Sequence, residues 1–283
     1  MIEAEFVLQW GSAGREDGQL FGPVGLAVDA DGQVYVADTF NHRVQVFGPD
    51  GEFRNKWGSA GTSPGEFLGP VGVAVDRTGR IYVADAGNRR VQMFAAPGKF
   101  LHAWSAPGPP CGDFQGIAVG AAGQVYVSDR NGDRILVFGA DGGLCYEWGG
   151  SGGAAGQFRL PHGVALDSHG HVYVADRDNE RVQKFAGDGA FVAQWGGPGR
   201  QDGKFRDPRG IAVDARGRVY VTDFSMHCIQ VFDATGNSLG AWGSEGAGRA
   251  QFVNPTGIVC EALGHVYVAD LRSHRVQKFR IAE

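Results

Sequence analysis

His162 stands in the stretch RLPHGVALDSHGHVYVADRDNERVQKF, just inside what reads as a buried strand. An imidazole there, with arginines around it, can recognise or polarise an anionic group, and at its ordinary pKa of about 6.5 would do so in a pH-dependent way. Arg209 holds the same place in a copy of this stretch 47 residues further on, and Gln115 and Thr256 hold it in two more copies. Arg130, Arg177 and Phe224 each follow an aspartate that closes a neighbouring apolar run. These seven residues are the candidate ligand-binding set. His162 and Arg209 are the two that acid–base chemistry would use.

Other chemistry-bearing residues resolve into structure. Asp38, Asp85, Asp129, Asp176, Asp223 and Asp270 recur at spacings of 47, 44, 47, 47 and 47. Five residues after each comes Arg43, Arg90, Arg134, Arg181 and Arg275, with Cys228 alone breaking the series. An Asp leaving one strand and an Arg starting the next meet across the connecting loop, so the pattern predicts ion pairs or loop caps, not a ring of catalytic carboxylates. His42, His227 and His274 share one repeat position, but loops roughly 10 Å or more from a ring axis cannot converge on zinc, whose ligands sit at about 2.0–2.1 Å. Cys111, Cys145, Cys228 and Cys260 show no metal-type spacing and read as reduced thiols without assigned function.

Positioning these residues falls to one unit repeated six times. The tryptophans Trp10, Trp57, Trp104, Trp148, Trp195 and Trp242 keep the same period as the aspartates. Each repeat splits into four apolar runs with period-two alternation, separated by Asp/Gly turns: a four-stranded antiparallel meander. Six such meanders predict an all-β, six-bladed β-propeller spanning residues 1–283 as a single domain. The opening EFVLQWG has the look of an outermost strand, whereas the chain stops after a third strand. The N-terminal strand should therefore complete the last blade and close the ring.

Within that ring, Pro-x-Gly at the start of each innermost strand places Val24, Val71, Gln115, His162, Arg209 and Thr256 around the channel mouth. Thr39, Ala86, Arg130, Arg177, Phe224 and Leu271 should form a second ring outside them. The mouth is lopsided, with Arg159 and Arg206 reinforcing a cationic half against an apolar half on blades one and two. The third copy reads FQG where the second reads FLGPVG, as though three residues were missing between Phe114 and Gln115, so the rim should be lower there.

NHRVQVF, VADRDNERVQKF and the recurring PxGxAVDxxGxVYVAD together resemble the NHL-repeat family along essentially the whole chain. Asn41-His42-Arg43 stands where the family name has Asn-His-Leu. The resemblance implies a six-bladed propeller and three classes of activity: protein or RNA binding, sensing, and zinc-dependent cleavage of peptidyl-hydroxyglycine. LPHGVAL resembles a histidine-bearing blade of the amidating lyases, but the equivalent positions in the other blades carry no second histidine. The expected function is a non-catalytic binding or scaffold propeller for a protein, peptide or small anionic ligand at the channel mouth. RNA binding, or a lyase or hydrolase built on His162 and Arg209, are the alternatives.

The net charge of −5 and pI of about 5.9 provide no global attraction to nucleic acid or anionic lipid. No basic-then-apolar leader and no membrane-length apolar run is apparent. The expectation is a cytoplasmic monomer without a cofactor or metal.

Overall fold

The computed structural model describes residues 2–96, 98–108 and 112–282. Valine, isoleucine and aromatic residues dominate the second and third strands of every repeat, and these strands are buried on both faces. Blade four shows the pattern: Pro161–Leu166 innermost, then Val172–Asp176, Arg181–Phe185 and Phe191–Gly196 outermost, all antiparallel. Six four-stranded sheets of this kind form the ring, and each innermost strand packs against that of the next blade.

Blade six is assembled from both chain ends. Ala4–Trp10 lies at the outer edge of Arg275–Ile281, pairing Trp10 with Val276 and Phe6 with Phe279 across a bulge. The predicted closure is therefore present. Five of the six tryptophans, all but Trp242, pack against a glycine in the next blade's outer hairpin: a Cβ on Gly189 would come within 2.9 Å of the Trp148 ring, and Gly189 has φ 89°. Only glycine satisfies both demands.

The aspartate–arginine pairs form as expected, and they do more than pair. Asp176 accepts hydrogen bonds from Arg181 (2.7 Å), Asn179 (2.8 Å) and Gln183 (3.1 Å). Arg181 then reaches the carbonyls of Gly153, Ala154 and Gln157, while Gln183 accepts from the Gly156 N–H. The clamp thus holds the Gly-rich link that feeds the blade, whose own sequence has too little apolar surface to hold itself.

His42, His227 and His274 lie in the left-handed region, at φ 54–56°. Their Nδ1 atoms accept the backbone N–H of Gly69, Asn254 and Gly22 in the following blade, at 3.0–3.1 Å. They are stitches between blades. No helix among the described residues is long and apolar enough to cross a membrane.

Candidate functional site

Six backbones crowd the axis at the channel mouth. A Cβ on Gly25, Gly72, Gly116, Gly163, Gly210 or Gly257 would fall 2.1–2.5 Å from the carbonyl oxygen of the next blade's ring residue. This close approach is why the third residue of Pro-x-Gly is glycine, and it forces the preceding side chain to line the mouth. Val24, Val71, Gln115, His162 and Thr256 surround a well of about 70 Å³, floored by Leu26, Val73, Ile117, Val164, Ile211 and Ile258. A second ring of aliphatic residues continues to the opposite opening.

Arg209 contributes its neighbours Gly210 and Ile211 to this lining, while its guanidinium is held elsewhere. It grips Asp207 with two nitrogens, at 2.9 and 3.1 Å, and lies over the Phe224 ring with 3.3 Å from its carbon to the ring centroid. Asp207 also receives Arg177 at 2.8 Å. Burial raises the Asp207 pKa, but the hydrogen bonds and charges of Arg209 and Arg177 outweigh it and hold the carboxyl below the ordinary range. On the other side of the well Asp113 pairs with Arg130 (2.5 Å) and accepts from Gln115 (2.6 Å).

Asp113 and Asp207 are the residues that sequence reasoning missed. They occupy the position just before the innermost strand, where the other blades carry Gly22, Gly69, Leu160 and Asn254 in the left-handed conformation. The available signal was co-occurrence: aspartate stands there in blades three and five, the two whose mouth position carries Gln115 and Arg209.

The imidazole of His162 also departs from expectation. Burial first, then the nearby Arg209, Arg177 and Arg130 charges, push its pKa down to about 3 against the opposing pull of Asp207. The expected titration near 6.5 is therefore lost, and His162 is neutral at physiological pH. Thr256 donates its hydroxyl to the Pro23 carbonyl at 3.1 Å, stitching blade six to blade one.

The gap in blade three lies elsewhere than expected. Phe114 pairs with Asp129 just as Pro161 pairs with Asp176, so Phe114 takes the backbone place of the proline. Its ring still meets Phe138, at 6.5 Å, as Phe158 meets Phe185 at 5.5 Å. The shortening falls in the link before Phe114, not between Phe114 and Gln115.

The pattern describing the NHL repeat matches residues 22–47, 67–94, 158–185, 205–232 and 252–279, in blades one, two, four, five and six. The chain belongs to the NHL-repeat family. Blade three, which the pattern does not match, is a sixth blade by its strands alone.

Similarity to curated NHL relatives is local. The chain is 51% identical over 47 residues to Protein wech of Drosophila melanogaster, covering 17% of the chain and 6% of that protein. It is 50% identical over 46 residues to the E3 ubiquitin-protein ligase TRIM71 of Bos taurus (16% and 5%), and 49% over 47 to Protein lin-41 of Caenorhabditis elegans (17% and 4%). The matched segments thus span about a twentieth of these relatives' lengths. Among solved structures, a streptogramin B lyase superposes with a TM-score of 0.69 at 16% identity, covering 100% of this chain and 98% of that one. A gluconolactonase from Xanthomonas campestris gives 0.71 at 17% identity, covering 94% and 88%. At these identities the likeness concerns the fold.

The remaining expectations divide among the described residues. Cys145, Cys228 and Cys260 are free thiols, and Cys111 lies outside the described residues. No group of three His, Cys, Asp or Glu among the described residues is arranged to hold a metal ion. Phe40 and Phe224 are joined at the mouth by Phe21, whose ring packs against Phe40 at 5.6 Å and stacks on His274 at 5.2 Å.

Proposed function

We propose that this NHL propeller is a non-catalytic binding module whose mouth face takes a protein or peptide segment carrying both acidic and apolar side chains. The observation behind this reading is the division of that face. Phe21, Phe40 and Leu68 are 41%, 50% and 44% exposed on blades one and two. Arg159 and Arg206 are exposed on blades four and five, above the half-buried Arg130, Arg177 and Arg209. A ligand with one character alone would leave half the face unused, whereas an acidic–apolar segment uses both.

The same geometry argues against chemistry and against RNA. A neutral His162 beside an Arg209 already committed to Asp207 leaves no free acid–base pair at the well. For a polyanion, Asp113 and Asp207 offset two of the three charges of Arg130, Arg177 and Arg209.

Selection from a random peptide display library tests this proposal. Enriched sequences should combine Asp or Glu with an aromatic or aliphatic residue. Arg206→Glu and Phe40→Ala should each weaken a selected peptide about tenfold, and added salt should weaken it further. Enrichment of basic peptides, retention of binding by both variants, or tighter binding of a single-stranded RNA oligonucleotide than of any peptide would overturn it.

A further inference from the structure

On the face opposite the mouth, the boundary between blades three and four lacks two features at once: an acid that the other five blades keep, and a lysine that blades four and six carry. In five blades an acid closes the innermost strand and accepts the hydroxyl of the second-strand tyrosine: Asp29 from Tyr35, Asp76 from Tyr82, Asp167 from Tyr173, Asp214 from Tyr220 and Glu261 from Tyr267, all at 3.0–3.1 Å. Blade three has Gly120 in that place, and the Tyr126 hydroxyl meets the Gly187 carbonyl of blade four, at 3.5 Å, and the side chain of Tyr146 instead of an acid.

The second feature is a lysine. In blade four the residue paired with Tyr173 is Lys184, whose ammonium lies 5.0 Å from the centre of that ring and donates to the Ala234 carbonyl of the next blade. Blade six repeats this with Lys278, Tyr267 (5.2 Å) and the Pro49 carbonyl of blade one. In blade three the residue paired with Tyr126 is Val137, and the carbonyl corresponding to Ala234 and Pro49 is that of Gly187. Blades one, two and five also lack the lysine, having Val46, Met93 and Val231, but they keep their acid. Blade three lacks both.

What remains there is a cleft of about 600 Å³. We propose that this cleft binds a small organic cation, an ammonium carried on an apolar body, with the cationic head taking the place that the lysine ammonium occupies in blades four and six. The Gly187 carbonyl accepts the Tyr146 hydroxyl and, at 3.5 Å, the Tyr126 hydroxyl, the longer contact being the one an ammonium donor would displace. Glu147 and Asp188 line the cleft and no lysine or arginine does. Glu147 already pairs with Arg134, so Asp188 is the counter-charge available to a ligand. The faces of Tyr126 and Tyr146 favour a cation over a neutral or anionic head. Leu166, Ala121 and Ala122 supply an apolar wall.

The test uses the full chain with benzyltrimethylammonium and benzylamine as probes, followed by calorimetry or chemical-shift titration, and with benzyl alcohol and benzoate as controls. Both cations should bind, perturbing Tyr146, and both controls should bind at least about tenfold more weakly. Val137→Lys installs the lysine of blades four and six and should abolish cation binding. Gly120→Asn, which fills the space of the missing acid without adding charge, should do the same should the lysine variant not fold. Asp188→Asn should weaken the cations several-fold and leave benzyl alcohol unaffected. No cation binding up to the solubility limit, equal binding of benzyl alcohol, or unchanged cation binding in a folded Val137→Lys or Gly120→Asn protein would each overturn the proposal.

Discussion

Blades three and four stand side by side with the same strand register, Asp129 opposite Arg134 and Asp176 opposite Arg181, yet they hold themselves in different ways. In blade four the aspartate gathers Arg181, Asn179 and Gln183, and through them the incoming link. In blade three Leu136 replaces the glutamine, fully buried, and Arg134 turns its outer nitrogen to Glu147. Ser128 replaces alanine, accepting the Gly116 N–H and donating to the His162 carbonyl, so a hydroxyl stitches this blade to the next. The blade survives because its strands depend on the apolar ladder of Val125, Val127, Ile135 and Phe138, all fully buried, and not on the polar clamp. The clamp serves the link, and blade three has a shortened one.

Blade six bounds this comparison from the other side, since its fourth strand is supplied by the opposite end of the chain. Removing residues 1–10 takes away the hydrogen-bonded join between Ala4–Trp10 and Arg275–Ile281 together with the packing of Trp10 on Phe47 and Tyr267. This is the largest effect expected. The loss of a whole edge strand should lower the Tm by about 10 °C or more, measured by calorimetry. A truncated protein with an unchanged transition would show that neighbouring blades hold blade six without its fourth strand, as they hold blade three without its clamp.

A smaller effect separates clamp from ladder. Gln183→Leu gives blade four the residue of blade three while its link is still long, stranding the Gly156 N–H and taking one of two donors from the Gln157 carbonyl, which keeps Arg181. The reverse change, Leu136→Gln, buries an amide beside the shorter link that precedes Phe114. Each should destabilise, by about 3 and about 2 kcal/mol respectively, read from urea unfolding. If Leu136→Gln were neutral, blade three would retain a latent clamp and the contrast would fail.

The repeat itself was open to reading from the chain alone because blade geometry imposes one residue type six times over: the aspartate, the tryptophan, and the glycine of Pro-x-Gly. Ring closure followed from the phase of the repeat. The site was less legible because its decisive features are exceptions to the repeat. Arg209 sits at the predicted position, but the direction of its guanidinium is set by Asp207 two residues earlier, and that carboxylate was not part of the period-based comparison. The place of the blade-three gap was misjudged for a related reason. Phe114 keeps the aromatic contact of its counterparts from the backbone position of a proline, and matching residue types aligned it with the wrong one. The His162 pKa depends on burial and on three arginines from three blades, which spacing along the chain does not reveal.

The smallest effect concerns that histidine, which sits across the blade boundary from Ser128. Its pKa is about 3 in the folded protein, below the ordinary 6.5 it regains on unfolding. Between these values the unfolded chain binds the proton and the folded one does not, so stability is full above pH 6.5 and declines as pH falls toward 3. Because the ring is partly open to the channel, the loss by pH 4 should be on the order of 2 kcal/mol, less than the full shift would give. Val24 and Val71 show that the blade accepts valine here, so His162→Val should fold normally and flatten this part of the pH–stability profile. Asp207 provides the internal control: its lowered pKa gives stability that is present above the ordinary aspartate pKa of about 3.9 and lost only as pH falls through its folded value. Its contribution should persist in the valine variant. Should His162→Val retain the full slope between pH 6 and 4, the ring would be solvated in the folded state, and the mouth of blade four would be as open as the cleft beneath it.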